Sequence, residues 1–495
     1  LLFTTLVGLG STSAFAQVHY HPNGAPWSQR ASDGPDAEVP GWYYNLGVTG
    51  IRVELVADAP RHLVVRHVFG DSPAARHVLV GDVIVGAGGA PFATDHKNGY
   101  GMDVFGPDGP ILEFAGALEA CRTKSGKGRL SLQLLRDDEP LEVTLKLETK
   151  SGTYSATFPD QCKKSDQVLD TLLEHLVDAQ QDDGSWGIPP QNLFAPLALL
   201  ASGERKHRKA VEKNVRFHAR TTREHDEDGL INWRYMAAAI VMSEYYLATR
   251  EAWVLDELQE VYDFLVWSQY VDMDTQLNPK AKESHPGSYP KSAEEAYGGW
   301  GHNPGFEGYG PICMLTGQGA LAFALMHRCG IVVDRHRHEA AYAFLERGSG
   351  RNGYVWYEDS AAGQDDWADM GRTGVSGVAH RLSPYESQAH ARRAMIHAKV
   401  IGEHPESFPD THGSPVLGMG FAALGAYTDP VSFRALMDAN RWWFVLAECT
   451  DGTYYYQPNR DNAGYGGNSR LSASAVTAFI LSIPKGNLAL TAKSD

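Results

Sequence analysis

The turns of this chain constrain its fold more than anything else in it. Asp183-Gly184-Ser185-Trp186, Asp228 to Trp233, Gly298-Gly299-Trp300, Asn352 to Trp356 and Asp451 to Tyr456 share one grammar. An aspartate, asparagine or glycine joins a glycine in a tight reversal, and an aromatic residue then plugs the gap between neighbouring elements. Charged, amphipathic helical stretches alternate along the chain with smoother, apolar ones. The amphipathic members are expected over residues 165–181, 204–221, 251–270, 334–347, 384–402 and 430–447. The apolar members are expected over 191–202, 232–249, 311–328, 372–382, 414–426 and 469–482. Helices that are apolar all round belong inside, so six pairs predict an all-α (α/α)6 toroid over residues 165–485, an inner ring covered by an outer one.

The first of the amphipathic stretches has Ser165 as its expected cap, with Val168, Leu169, Leu172, Leu173, Leu176 and Val177 on one face. Upstream, over residues 41–150, the period changes to short strands: Ile51–Val56, His62–Val68, Val83–Val85, Leu130–Leu135 and Leu141–Leu147, with one helix near Ile111–Arg122. The last two strands are expected to pair across Asp137 to Pro140. Residues 151–164 read as a linker and 486–495 as a tail. The apolar run of residues 1–16 ends in Ala14-Phe15-Ala16 and reads as a truncated export signal, and residues 17–40 as an extended arm. The mature protein is therefore expected outside the cytoplasm, periplasmic or secreted.

Composition narrows the partners. A formal charge of -16 argues against nucleic acid and anionic membrane surfaces. Five cysteines are too few and too scattered to build the fold. Cys121 with Cys162 is the one pair worth testing, since Cys313 and Cys329 would stand about 24 Å apart on one helix. No paired-ligand spacing supports a metal site, and no cofactor is expected.

Two resemblances sit on these residues. Asp71-Ser72-Pro73-Ala74-Ala75-Arg76 followed by Val80-Gly81-Asp82-Val83-Ile84-Val85-Gly86 resembles the bacterial PDZ hallmark, and Asn45-Leu46-Gly47-Val48 resembles the PDZ carboxylate loop. That resemblance implies a small, mainly-β PDZ-like domain ahead of the toroid, and a protein or peptide C-terminus as partner. Gln180 to Gly187 resembles the Gln-Trp motif of terpenoid cyclases and prenyltransferases. It implies the toroid's rhythm without its chemistry, because Asp365-Asp366-Trp367-Ala368-Asp369 does not match the acid motif of squalene-cyclase-type enzymes. The order of segments as a whole resembles a family of secreted bacterial proteins of uncharacterised function.

In a toroid of antiparallel pairs, all inner helices start at one end. The loops feeding them should share a mouth, where helix N-termini favour an anionic or strongly polar ligand. This gathers Trp233 and Arg234, His302, Asn303, Glu307 and Tyr309, Arg372, His412, and Tyr465, Asn468 and Arg470. Aromatic rings among His, Asn, Arg and a carboxylate suit a sugar. As a polysaccharide lyase, Asn303 or Asn468 with Arg372 would neutralise a uronate, with His302 or His412 and Tyr309 or Tyr465 as base and acid. As an inverting hydrolase, Glu307 would pair with Asp365, Asp366 or Glu358. Trp186, Trp233, Trp300 and Trp356 read first as turn plugs. Two other classes stand beside these: a non-catalytic PDZ/toroid scaffold, with its mouth filled by residues 272–297, and a terpenoid enzyme with a deep aromatic channel.

Overall fold

The computed structural model describes residues 43–56, 58–96, 107–149, 152–222, 229–360, 367, 370–385, 388–409, 415–455, 457 and 469–491. Residues 1–40, where an export signal and an arm were expected, lie outside the described residues.

The β part is one antiparallel sheet of seven strands, β1 (Tyr43–Asn45), β2 (Ile51–Leu55), β3 (Leu63–Val68), β4 (Val83–Ala87), β5 (Ala90–Pro91), β6 (Arg129–Arg136) and β7 (Glu139–Lys146). The strands run in the order β1-β2-β3-β4-β6-β7, with β5 paired to β4 and helix α1 (Pro110–Cys121) between β5 and β6 in the chain. Alternation in Leu130, Leu132 and Leu134 buries one face of β6, as its period of two requires. The β6–β7 turn is shorter than expected. Arg136 pairs with Glu139, so Asp137 and Asp138, both at positive φ, form a two-residue reversal and Pro140 falls inside the edge strand.

Fourteen further helices follow. Six form the inner ring: α3 (Pro189–Ala201), α5 (Ile231–Thr249), α8 (Cys313–Cys329), α10 (Gly371–Leu382), α12 (Pro415–Ala426) and α15 (Ser469–Ser482). Each packs on the next, and α15 packs back on α3, which closes the ring. Outside lie α2 (Lys163–Asp178), α4 (Arg208–Thr221), α6 (Trp253–Ser268), α9 (Arg335–Arg347), α11 (Gln388–Glu403) and α13 (Pro430–Ala439), with short α7 (Pro279–Ser284) and α14 (Arg441–Leu446). The toroid is therefore as the apolar and amphipathic alternation demands. Ser165 is not the cap of α2. The helix starts two residues earlier with Cys162 at the cap, and Ser165 is buried in its first turn. Nor is there a Cys121–Cys162 disulfide. All five cysteines are buried thiols outside any disulfide, with Cys121 donating to the Leu118 carbonyl at 3.1 Å and Cys162 accepting from the Ser155 N–H at 3.2 Å.

Small residues set how tightly the ring closes. A Cβ on Gly374 would stand 2.0 Å from the Phe421 carbonyl oxygen, so α10 and α12 touch backbone to backbone. Gly374→Ala should therefore cost about 1–3 kcal/mol as the helices are forced apart, read as a lowered urea midpoint with unchanged slope. Inside the ring, Phe194 lies 5.6 Å from Phe421 and 5.0 Å from Phe479 between ring centroids.

At the far end the inner helices meet residues 487–490. Glu244 of α5, 1% exposed, accepts from the N–H groups of Ala489 and Leu490 at 2.9 and 2.6 Å. Arg381 of α10 donates to the Leu490 carbonyl, and Asn487 donates to the Ala201 carbonyl at the end of α3. Residues 487–490 thus tie together the ends of three of the six inner helices, α3, α5 and α10.

The β part docks on the toroid through the loop that resembles a carboxylate-binding one. Asn45 and Leu46 are fully buried, and Gly47, at φ +63°, has no room for a side chain because the Val445 carbonyl oxygen would be 2.8 Å from its Cβ. The Asn45 N–H donates to Gln457 at 3.0 Å, and Gln457 donates back to the Asn45 carbonyl at 3.1 Å. Asn45, Leu46 and Gly47 thus receive the toroid where a peptide was expected. Val48 alone of the four is partly exposed, and the expected peptide site is filled from within the chain.

Candidate functional site

The mouth is built by loops that each reach back over the helix before. Ahead of α8, the loop through His302 caps the start of α5: the Asn232 N–H donates to the His302 carbonyl at 3.1 Å and the Ile231 N–H to Asn303 Oδ1 at 3.3 Å. Ahead of α10, the loop through Tyr357 caps α8, the Cys313 N–H donating to the Tyr357 carbonyl at 2.8 Å. Helix starts that would otherwise carry orphan N–H groups are thereby satisfied by neighbouring loops.

These loops bring Trp233, His302, Tyr309 and Tyr357 into one line. The Trp233 indole N–H donates to His302 Nδ1 at 2.7 Å, His302 Nε2 meets the Tyr309 hydroxyl, and Tyr309 meets the Tyr357 hydroxyl at 2.8 Å. Indole nitrogen only donates, so Nδ1 of His302 is the acceptor and its proton sits on Nε2. That proton points at the Tyr309 oxygen, and the Tyr309 hydroxyl proton is left for Tyr357 or a ligand. Burial holds His302 below the ordinary imidazole range, opposed by the Glu307 charge, so the ring is neutral at pH 7. Burial, then the Tyr309 hydrogen bond, pushes the Tyr357 phenol well up. His302, Tyr309 and Tyr357 are partly exposed, and Glu307 is exposed at the rim, where Asn303 donates to it at 2.6 Å.

The other expected residues divide. Arg372 does reach this cluster, but from below. It is 6% exposed, donates to the Val355 carbonyl at 3.2 Å and the Tyr354 hydroxyl at 2.6 Å, and lies 5.6 Å from the Tyr357 ring. It supports the tyrosines and does not face a uronate. Arg470 is turned onto Asp451 and Thr453. Arg234 is half-buried on α5, next to Trp233. His412, Tyr465 and Asn468 lie outside the described residues, as do Asp365 and Asp366. Trp186 and Trp300 are turn plugs, each spending its indole N–H on a carbonyl of the preceding outer helix. Burial, then Asp359, raises the Glu358 carboxyl.

Two residues of the mouth were not anticipated. Tyr357 directly follows the Asn352–Trp356 turn, so the signal was present one position further on. His285 comes from the 272–297 insertion, with its ring centroid 5.6 Å from that of Tyr309, and nothing in its exposed, polar surroundings marks it. The insertion leans on the mouth loop through Asn278, whose N–H donates to the Phe306 carbonyl at 2.9 Å. Among the described residues no group of three His, Cys, Asp or Glu side chains is placed to hold a metal, and no helix is long and apolar enough to cross a membrane.

Residues 165–492 match the family model described as "Domain of unknown function (DUF6288)". No curated protein matches the chain. Among solved structures, it is similar to an inactive variant of the α-1,6-mannanase GH76A of Salegentibacter sp. in complex with α-1,6-mannotriose, at 12% identity over 64% of this chain and 99% of that one, with a TM-score of 0.46. It is also similar to a cellobiose 2-epimerase from Bacillus thermoamylovorans, at 11% identity over 66% and 99%, with a TM-score of 0.43. A type II terpene cyclase from Scytonema follows at 12% identity over 65% and 98%, with a TM-score of 0.39.

Proposed function

From the premise that the chain belongs to the DUF6288 family, which it matches over residues 165–492, we propose that its mouth binds a glycan and cleaves it with Tyr309 as the proton-transfer group. The observation that carries this reading is the unbroken line from Trp233 through His302 and Tyr309 to Tyr357. Its two fixed donors, the Trp233 indole and the His302 Nε2–H, leave the Tyr309 hydroxyl proton to turn to Tyr357 or to a ligand at a half-open surface. A phenol that accepts from a neutral imidazole N–H is eased toward phenolate as it gives its proton to the leaving glycosidic oxygen while the C–O bond breaks, and it is protonated again by the water whose hydroxyl bonds to the sugar carbon. Asn303 and Glu307 at the rim supply the fixed amide and carboxylate that sugar hydroxyls need, and the Trp233 and Tyr309 rings offer faces to stack on. The apolar run of residues 1–16 supports export as its setting.

The test is a glycan array with a polysaccharide-degradation screen. Tyr309→Phe should keep binding while losing cleavage by about 10²-fold or more, the usual weight of a positioned acid or base. Trp233→Phe removes the N–H that fixes the His302 tautomer, and should shift the pH profile of cleavage more than the affinity. Cleavage unchanged in Tyr309→Phe would end the proposal. A scaffold role has one observation in its favour, the insertion that brings His285 to the mouth, and gains if no glycan binds at all.

A further inference from the structure

The sheet of the β part has one long open edge. Of its two terminal strands, β1 has three residues and β7 has eight, with β6 on one side of β7 and no strand on the other among the described residues. The Leu147 N–H donates to the Gly128 carbonyl at 2.7 Å, so the odd-numbered residues along β7 turn their backbone groups toward β6. By the alternation of an antiparallel ladder, Glu142, Thr144 and Lys146 present theirs to the open side. Pro140 has no N–H to present there, and the edge that can pair ends at Glu142.

The side chains along this edge are unevenly matched. Arg129 of β6 stands directly opposite Lys146, two exposed like charges facing each other across the ladder. Neither side chain has a hydrogen bond or ion pair among the described residues. Glu142 lies on the same face of β7, but about 13 Å along the strand from Lys146, out of its reach. One of its carboxylate oxygens accepts from the Ser131 hydroxyl at 2.6 Å, and the other has no partner among the described residues. On the opposite face burial fades along the strand, from buried Leu145 to partly exposed Val143 and Leu141.

A second copy of the same edge, turned about a two-fold axis through Thr144, mends both mismatches. Antiparallel pairing sets outward residue against outward residue, which allows Glu142 opposite Lys146, Thr144 opposite Thr144 and Lys146 opposite Glu142. Each Lys146, with Arg129 beside it, then meets a carboxylate. Val143 comes to lie opposite Leu145, so the thinly covered half of the apolar face borders the buried half. A register moved one step either way loses this, setting Lys146 against Pro140 or Glu142 against Glu148. Three residues a side supply about six backbone hydrogen bonds.

We propose that β7 is a self-association edge, at which two copies of this chain pair β7 to β7, antiparallel about Thr144, and join their sheets into one. The contact belongs to the β part and is independent of any glycan at the mouth.

The experiment is sedimentation equilibrium on the full chain at low ionic strength, where exposed pairs are least screened, at concentrations up to about 1 mM. A monomer–dimer equilibrium is expected. Glu142→Lys and Lys146→Glu each turn two attractive pairs into two repulsive ones, and each should weaken it about tenfold or more. Glu142→Lys also makes a chain of charge -16 less negative, which by the overall field alone would strengthen association. Mixed in equal amounts, the two variants are complementary to each other at both pairs, and the mixture should dimerise as the native chain does. The double variant Glu142→Lys/Lys146→Glu should do so with itself. Recovery in either the mixture or the double variant, after loss in both single variants, supports the proposal. A native chain that stays monomeric, a single variant that dimerises like the native chain, or recovery in neither combination overturns it.

Discussion

Lowering the pH from about 7 to about 4.5 is expected to strip this protein of most of its stability, through histidines that the toroid buries uncharged. His218, His338 and His397 are each no more than 1% exposed, and each rests a ring nitrogen on a backbone carbonyl, of Asn192, Ala320 and Gly353. Burial pushes His218 and His397 down to about 4 and His338 to about 3, and lowers the neighbouring His380 well below its ordinary range. The sign follows from proton counts. Between the folded values and the unfolded value near 6.5, the unfolded chain holds a proton that the folded one refuses, so stability is whole above that window and falls as pH falls through it. Each such group contributes a slope of about 1.4 kcal/mol per pH unit, so three acting together give about 4. Two units of that, about 8 kcal/mol, remove half or more of a total of about 5–15 kcal/mol. Urea unfolding at several pH values across the window measures it, with proton uptake on unfolding as the check. His397→Gln should flatten the slope by about a third while lowering stability at neutral pH, because the Gly353 carbonyl loses its donor. A stability that holds level from pH 7 to 4.5 would mean these rings are charged, or hydrated, in the fold.

Those histidines mark what the sequence could and could not convey. The ring was legible because its inner helices are apolar on every face, as Cys313 to Cys329 or Pro415 to Ala426 show, and only burial explains such a helix. The mouth was half legible. Knowing that inner helices start at one end is enough to gather Trp233, His302 and Tyr309, but not to order them. Their line depends on loops reaching back over the previous helix, a contact between residues far apart in sequence. Arg372 shows the cost of that gap. Its position at a helix start reads as ligand-facing, while the Val355 carbonyl and the Tyr354 hydroxyl draw its guanidinium underneath. His338 and His397 sit on charged outer helices, α9 and α11, where period alone does not separate the buried edge from the exposed one. The carboxylate-loop motif failed as a peptide site for the same reason. Glycine there permits a close approach by any backbone, and the backbone that approaches belongs to α14.

Breaking the Arg122–Glu448 pair should cost more than any other single change at the junction of the two parts. Burial works against both charges, yet Arg122, with Lys164 behind it, still holds the Glu448 carboxyl below the usual range. Lys164 is 1% exposed and stands 4.2 Å over the Tyr154 ring, whose hydroxyl meets that of Tyr454 at 3.0 Å. Glu448→Ala therefore leaves the buried Arg122 without its anion and Lys164 with only Glu119 at 3.9 Å, and is expected to lower stability by about 3–5 kcal/mol. Replacing both members, as Arg122→Met with Glu448→Leu, should restore most of that, because the desolvation cost leaves together with the attraction. Urea denaturation followed at two probes separates local from global effects. If the pair couples the parts, Glu448→Ala should also split one transition into two, the β part and the toroid no longer melting together. The double replacement should remain a single transition, since Asn45 with Gln457 and Gly47 against Val445 still hold the interface. A loss below about 1 kcal/mol in Glu448→Ala would show the pair to be hydrated as surface pairs are, and the junction to rest on its apolar and backbone contacts alone.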